Sequence, residues 1–308
     1  MIVAVTGGSG FIGSHVVDKL TDAGHTVRVL DGSQPHRDDV QWQPVDITRL
    51  SQVMGALQGC DAVFHLAAMA NVNEIAKMPA ESVDLNVMGT ATILEAARII
   101  GNMRFVLAST VWVYEASTAL EVDETTPLST EGVSHLYMAE KISAEMLANS
   151  YGKLYGIPVT VLRYGIPYGP RMREELVMPI FIKKALNGEA LTVAGDGKQY
   201  RNFVYVEDLA DAHVRVLDRE ANGTFNLEGP REVAIIELAE AVCAAVPGNG
   251  GITRTEARGG DYQGRVVSRQ RAKDVLGWEP LTQFEQGFTE TLNWFLAKWA
   301  GQRTPAAV

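Results

Sequence analysis

Met1-Ile2-Val3-Ala4-Val5-Thr6-Gly7-Gly8-Ser9-Gly10-Phe11-Ile12-Gly13 opens the chain. The β-branched run Ile2–Thr6 reads as a buried strand, and the amphipathic stretch Ile12–Ala23 reads as a helix. Between and into them fall three spaced glycines, Gly7, Gly10 and Gly13. Glycine permits a tight turn and a close approach of backbone to a pyrophosphate, and the helix that follows presents its N-terminal N–H groups there. Strand, glycine turn and helix in this order predict the first unit of a doubly wound parallel sheet, with Gly7, Gly10, Phe11, Ile12 and Gly13 beside a dinucleotide.

The same alternation continues. Thr26–Leu30, Ala62–Leu66, Arg104–Ala108 and Pro158–Arg163 are short and apolar, while Leu50–Gln58, Ala80–Ile100 and Ser134–Tyr155 are longer and amphipathic. Strands alternating with helices build βαβ units, so the expected fold is α/β of Rossmann type. From Ile166 the pattern loosens, with a helix over Pro179–Asn187 and a turn at Gly195-Asp196-Gly197, and a smaller mixed α/β C-terminal lobe is expected. Asn202–Leu217 reads as strand then helix and returns to the sheet. The dinucleotide-binding domain is therefore placed at 1–165 plus about 202–225, and a substrate-binding lobe at 166–201 plus 226–308. Helical patterns at Val233–Val246, Arg269–Leu276 and Phe284–Trp299 fill the lobe, and Gly301–Val308 reads as a frayed tail.

Composition excludes several classes. Of 308 residues, 46% are hydrophobic and 21% charged, a globular balance unlike that of a disordered or fibrous chain. Lys plus Arg number 27 against 37 Asp plus Glu, a net charge of −10 that repels polyanions. Nucleic acid is not an expected partner, and a phosphate-bearing ligand must be held by local arginines or backbone N–H groups. Cys60 and Cys243 lack metal-type spacing and read as core residues of a reducing compartment, so no metal is expected. With neither a leader pattern nor an apolar run of ~18–20 residues, the chain reads as soluble and cytoplasmic, without a membrane partner.

Three features carry chemistry. Asp31 closes the second strand about 20 residues after the glycines, where a carboxylate accepts both ribose hydroxyls and repels a 2′-phosphate, which favours NAD over NADP. Arg37, close by in sequence, is the residue type that would instead accept the extra phosphate. Tyr137 and Lys141 stand four apart and share a helix face. A phenol with a pKa of ~10 is a poor base at neutral pH, and a neighbouring ammonium lowers it. Finally, Val106-Leu107-Ala108-Ser109-Thr110 ends a strand in two hydroxyls, at the sheet edge where such folds bind ligands.

On these residues the sequence resembles the extended short-chain dehydrogenases/reductases, specifically their nucleotide-sugar epimerase/dehydratase group, over nearly the whole chain. Thr6–Gly13 is similar to the family's TGxxGxxG loop and Asp31 to its ribose acid. Asp46-Ile47 resembles the pair that meets the adenine, and His65-Leu66-Ala67-Ala68 resembles the HxAA segment lining the dinucleotide, which implies cofactor contacts for Asp46, Ile47, Leu66, Ala67 and Ala68. Asn86 matches the helix asparagine that supports the site. Ser109-Thr110 with Val113-Tyr114 resembles the SSxxVYG strand end, which implies a cofactor contact for Ser109 and a catalytic, substrate-holding hydroxyl for Thr110. Tyr137 and Lys141 match the YxxxK pair, which implies the base and its ammonium, both also against the cofactor.

Gly195-Asp196-Gly197 through Asp208 resembles a GDGxxxRDFxYVxD stretch, and Arg258-Gly259-Gly260-Asp261 an RPGD turn. The resemblance implies that Arg201 and Arg258 hold a substrate diphosphate, as guanidinium groups can do bidentately. Arg163-Tyr164-Gly165-Ile166-Pro167-Tyr168-Gly169-Pro170 is similar to RxFNxYGP, which implies a cofactor contact for Tyr164. Ile166 stands where the diphosphate-contacting asparagine is usual, and Gly165 replaces an aromatic residue; Arg171 and Arg173 are candidates to compensate.

Within this group, dehydratases carry an acidic pair just after the catalytic hydroxyl and decarboxylases a glutamate. Here the two residues are Val111-Trp112, with Trp112 read as core packing. The expected activity is thus NAD-dependent epimerisation of a nucleotide sugar at C4, of a UDP-hexose or UDP-hexuronate; the resemblance further implies a homodimer pairing through Ala80–Ile100 and Ser134–Tyr155. A net dehydrogenase or reductase of a hydroxy or keto compound is the alternative that Ile166 supports. A non-catalytic dinucleotide sensor would lack the Tyr or the Lys, and both are present.

Overall fold

Every strand expected before Ile166 forms, and all of them enter one parallel sheet. The computed structural model describes residues 1–101, 103–256 and 265–302. In chain order the elements are β1 (Ile2–Thr6), α1 (Phe11–Asp22), β2 (Thr26–Leu30), β3 (Gln41–Gln43), α2 (Leu50–Leu57), β4 (Ala62–His65), α3 (Val72–Ile75), α4 (Pro79–Val83), α5 (Gly89–Gly101), β5 (Arg104–Thr110), β6 (Glu121–Val122), α6 (Leu136–Tyr155) and β7 (Val159–Tyr164). Then come β8 (Ile166–Tyr168), α7 (Val177–Leu186), β9 (Leu191–Ala194), β10 (Tyr200–Arg201), β11 (Phe203–Tyr205), α8 (Val206–Asp218), β12 (Gly223–Leu227), β13 (Val233–Ala234), α9 (Ile235–Ala245), β14 (Ile252–Thr255) and α10 (Phe284–Gln302). No helix among the described residues is long and apolar enough to cross a membrane.

The chain divides into two compact units. The first comprises Met1–Gly165, Leu209–Leu227 and Val267–Glu279. Its main sheet has seven strands in the order β12-β7-β5-β4-β1-β2-β3, all parallel, so the connection direction reverses beside β1. Val3, Ala4 and Val5 of β1 are fully buried, as expected of a strand covered by helices on both faces. Burial of each of the two valines contributes roughly 1.5–3 kcal/mol. The register sets Thr6 beside His65, and Thr110 beside Tyr164, so the polar ends of the strands lie along one edge. Val267–Glu279, which the sequence pattern groups with the lobe, belongs to the first unit. Ser268 N–H donates to Val122 O, Asn226 Nδ2 donates to Ser268 O, and Trp278 is fully buried.

The expected continuous helix Ala80–Ile100 is broken. A π-helical turn, Asp84–Met88, separates α4 from α5, with Gly89 N–H reaching back five residues to Asp84 O. Such bulges reorient a side chain within a helix, and here the side chain is Asn86. Cys60 is buried in the core as expected, whereas Cys243 is only partly buried.

The second unit comprises Ile166–Asp208, Glu228–Val266 and the chain from Pro280. It contains three two-stranded pairs, β8 with β11 and β9 with β14 in parallel, and β10 with β13 antiparallel. Tyr168, Phe203, Tyr205 and Phe284 pack at its centre with ring centroids 5.6–5.8 Å apart. Gly287 of α10 is required there, since a Cβ would fall 2.3 Å from the Tyr168 hydroxyl.

Candidate active site

The turn after β1 is shaped for an anion. Gly10 caps α1, no side chain satisfies the helix start, and the first turn holds no acid, which leaves the N–H groups of that turn available to a negative ligand. A Cβ on Gly7, whose φ is +69°, would lie 2.7 Å from Ala67 N, and one on Gly13 would lie 2.0 Å from Gly7 O. At the end of β2, Asp31 accepts from Ser9 N–H at 3.0 Å and Ser33 N–H at 2.9 Å, so its carboxylate is fixed beside the glycine turn. Arg37 is engaged by three carboxylates: Asp39 at 2.8 Å, Asp18 at 3.2 Å and Asp22 at 3.3 Å. Asp39 and its neighbours hold the guanidinium well above its usual range. Asp46 accepts from the Thr48 hydroxyl and N–H, which holds its carboxyl below the usual range, and Ile47 is buried where a Cβ on Gly89 would collide with it. These residues fit a dinucleotide diphosphate and a ribose.

A chain of hydrogen bonds runs from this turn to the helix that carries the Tyr–Lys pair. Thr90 donates its hydroxyl hydrogen to Asn86 O at 2.6 Å, so it can only accept from His65 Nε2–H. His65 Nδ1 then accepts from the Thr6 hydroxyl at 2.8 Å, whose oxygen in turn accepts from Ala67 N–H. Asn86 grips the Met69 peptide, accepting from its N–H at 2.8 Å and donating to its carbonyl at 2.9 Å. Leu66, Ala67 and Ala68, partly buried, form the backbone between these two anchors.

At the end of β5, Thr110 is 8% exposed and its Oγ accepts from Trp112 N–H, opening a 3-10 turn, Val111–Tyr114. Tyr137 lies one residue into α6, after His135, whose Nδ1 caps the helix by accepting from Met138 N–H. Trp112 is partly buried and packs, as expected, against the cluster formed by Val111, Val113, Tyr114 and Met138, and its ring also lies edge-on to Tyr137 at 6.4 Å and tilted on His135 at 5.2 Å. Lys141 Nζ lies 5.7 Å from the Tyr137 ring centroid and donates to Ala108 O at 3.0 Å. Burial lowers Lys141 to about 8, against the opposing pull of Glu140 and Glu145. The i,i+4 spacing therefore delivers the contact that the sequence implied.

Beneath this corner lies a buried ion pair that sequence reasoning missed. Arg163 and Glu145 are 5% and 2% exposed, with Nε–Oε1 at 2.9 Å and Nη2–Oε2 at 2.6 Å. Ser109 donates its hydroxyl to Glu145, and Arg163 Nη1 donates to the Tyr114 hydroxyl, which donates to Asn226 Oδ1 at 3.0 Å. The available signal was Arg163 itself, a charge ending the apolar run Val159–Leu162, which demands a buried partner. Tyr164 donates to His213 Nε2 at 2.7 Å, since His213 Nδ1–H is committed to Leu209 O. In the second unit, Arg201 lies on β10 and donates to Tyr200 O. Arg258 and the tail from 303 lie outside the described residues. No cluster of metal-ligating side chains occurs among the described residues.

His65 and His213 are held neutral by burial, at about 3 and about 4. An unfolded imidazole titrates near 6.5, so below that pH the unfolded chain takes up protons that the folded chain refuses. Their contribution is complete above 6.5 and is lost as pH falls toward 3. Denaturant melts at pH 5 are expected to show about 2 kcal/mol less stability per imidazole than at pH 8. Equal stability at pH 5 and pH 8, or a pH dependence that His213→Gln leaves unchanged, would contradict the neutral, buried state of these imidazoles.

The parallel sheet, the glycine turn at its reversal point and the Tyr137–Lys141 pair beside the end of β5 are the features of a dinucleotide-binding fold. The chain belongs to the NAD-dependent epimerase/dehydratase family, whose model matches residues 3–227. UDP-glucuronic acid decarboxylase 2 of Arabidopsis thaliana is 35% identical over 294 residues, 92% of this chain. The chain spans 66% of that protein's length. A dTDP-glucose 4,6-dehydratase of Salmonella typhimurium is 32% identical over 337 residues, covering 96% of this chain and 93% of its own. Among solved structures, UDP-glucose 4-epimerase of Thermotoga maritima with UDP-glucose superimposes with a TM-score of 0.88 at 30% identity, over 97% of this chain and 100% of its own. UDP-glucuronic acid 4-epimerase of Bacillus cereus, with UDP-glucuronic acid and NAD, gives 0.87 at 26% identity over 97% and 100%.

Proposed function

We propose that the protein is an NAD-dependent epimerase of a nucleotide sugar, inverting C4 of a UDP-hexose or UDP-hexuronate through a 4-keto sugar. The observation that carries this reading is Trp112. The position after Thr110 and Val111 holds an indole against Tyr137, where elimination or decarboxylation would call for a carboxylate. The epimerase structures above support the same choice, whereas the decarboxylase and dehydratase relatives mark the competing outcomes.

NAD along the glycine turn would supply a reversible hydride acceptor. Gly7, Gly10 and Gly13 leave room for its diphosphate, and Asp31 takes the ribose hydroxyls. Arg37, tied to three carboxylates, leaves a 2′-phosphate without its cation, so NAD is expected to bind more tightly than NADP. Tyr137 removes the proton of the C4 hydroxyl and returns it after the keto sugar turns over, Lys141 favours the phenolate, and Thr110 holds the reacting oxygen. Arg201 and Arg258 are the proposed partners of the substrate diphosphate. Ile166, which offers no amide, supports a second reading, a net dehydrogenase of a smaller hydroxy compound.

A panel of UDP-sugars deuterated at C4 separates these readings. Epimerisation exchanges each sugar with its C4 epimer, keeps the label and needs no cofactor beyond the bound equivalent. Stoichiometric NADH identifies a dehydrogenase, release of carbon dioxide a decarboxylase, and solvent deuterium at C5 with a 6-deoxy-4-keto product a dehydratase.

The proposed homodimer rests on α5 and α6, which pack on each other and leave Ile99, Met146, Leu154 and Tyr155 exposed. An isologous contact would cover them. Light scattering is expected to give twice 33.5 kDa, falling to the monomer mass in Met146→Glu; a monomeric wild type would reject the dimer.

A further inference from the structure

We propose that Glu140 is a positioning residue of this site: its buried carboxylate is the counter-charge of Lys141 and, through Asn86, anchors the Met69 backbone. This rests on the reading of Lys141 as the ammonium that serves Tyr137. Glu140 is 2% exposed, within α6 and next to Lys141 in sequence. Ser82 of α4 donates to its Oε1 at 2.5 Å, and Asn86 of the π turn donates to its Oε2 at 2.6 Å. Both donors are neutral, so they solvate the carboxylate without cancelling its charge, and a buried charge left in that state is costly.

The cation that feels this field is Lys141. It is 7% exposed; Tyr137, Glu140 and Glu145 share its helix, with Glu140 buried and next to it in sequence, and His65 of β4 is the other titratable group that acts on it. The two carboxylates differ in what they have left to give. Glu145 is closed onto Arg163 of β7 at 2.6 Å and takes the Ser109 hydroxyl, so its charge is already neutralised. His65 is neutral and Tyr137 is the group to be ionised. Glu140 is therefore the residue whose negative charge keeps the buried ammonium protonated. Burial pulls Lys141 down, and the Glu140 charge pulls the other way.

The second effect is geometric. A carboxylate only accepts, so Glu140 obliges Asn86 to present Nδ2 to it. Asn86 then has one Nδ2 hydrogen for Met69 O and its Oδ1 for Met69 N–H. The same carboxylate thus sets the Lys141 charge and the amide orientation that holds the backbone after Ala67-Ala68.

The test is the pH profile of kcat/KM in the full chain with NAD, on whichever UDP-sugar it turns over. Activity requires protonated Lys141, so its alkaline limb marks the loss of that proton. Glu140→Gln keeps the shape and removes the charge; the limb is expected to move to lower pH by roughly one unit. Ser82→Ala removes a donor and keeps the charge, and its limb is expected to stay with the wild type. Ser82→Asp combined with Glu140→Gln returns a carboxylate from the facing helix and should restore the limb. That double variant also tests the proposal if Glu140→Gln alone does not fold. A Glu140→Gln limb that coincides with wild type, or a double variant that turns over with the limb unrestored, overturns the proposal. Lys141→Met distinguishes the underlying reading: retained turnover there removes the role of Lys141 itself, whereas an inactive Lys141→Met with an unmoved Glu140→Gln limb rejects Glu140 alone.

Discussion

Tyr137→Phe is expected to lower turnover by about 10²–10⁴-fold, the usual worth of a positioned acid/base group, while leaving the fold and NAD binding intact. The substitution removes one oxygen. The ring contacts that place the side chain, edge-on to Trp112 and over Lys141, do not involve that oxygen and survive in phenylalanine. A proton-transfer group acts in the transition state, so kcat and kcat/KM should fall together with KM little changed. Steady-state kinetics, a thermal melt and an NAD titration on the same sample check each part. Near-normal activity would reject Tyr137 as the base. Because Lys141 acts through Tyr137, adding Lys141→Met to Tyr137→Phe should cost little more than the worse single change.

The sheet was legible because its signal is local. Ile2–Thr6 and Thr26–Leu30 are short β-branched runs bounded by turns, and they form β1 and β2 with those same bounds. The Tyr137–Lys141 contact was legible because helix periodicity alone brings residues four apart together. The break in Ala80–Ile100 was not, since nothing in its own periodicity marks a π turn. Its cause is tertiary: the Asn86 amide reaching the Met69 peptide, and Gly89 admitting Ile47. Trp112 was half legible for the same reason: it packs on the core as its type suggests, but an aromatic residue after a buried strand gives no sign that it will also meet Tyr137 and His135. Glu140 and Glu145 illustrate the limit more sharply. In sequence they are two acids on a helix of mixed composition, and only the packing of α4 and β7 against that helix shows that both are buried, one ion-paired and one not.

Arg163→Leu is expected to destabilise the protein by about 3–5 kcal/mol, because it leaves Glu145 charged and buried without its partner. That is a large share of the roughly 5–15 kcal/mol that holds a typical domain folded. Glu145→Leu should cost a similar amount for the converse reason. The double variant should cost clearly less than the sum, since an apolar pair removes both desolvation penalties at once, and the difference measures the coupling. Urea unfolding of the four proteins closes the cycle, and simple additivity would show that the pair contributes nothing as a unit. The pair also bears on the reaction. Glu145 holds the Ser109 hydroxyl, Arg163 holds Tyr114 at the end of the 3-10 turn, and Thr110 stands between those two attachments. A double variant that recovers stability should therefore still turn over more slowly than wild type, with the loss in kcat. Recovery of both stability and turnover would show that β5 alone fixes Thr110, and that the ion pair serves only to keep two buried charges satisfied.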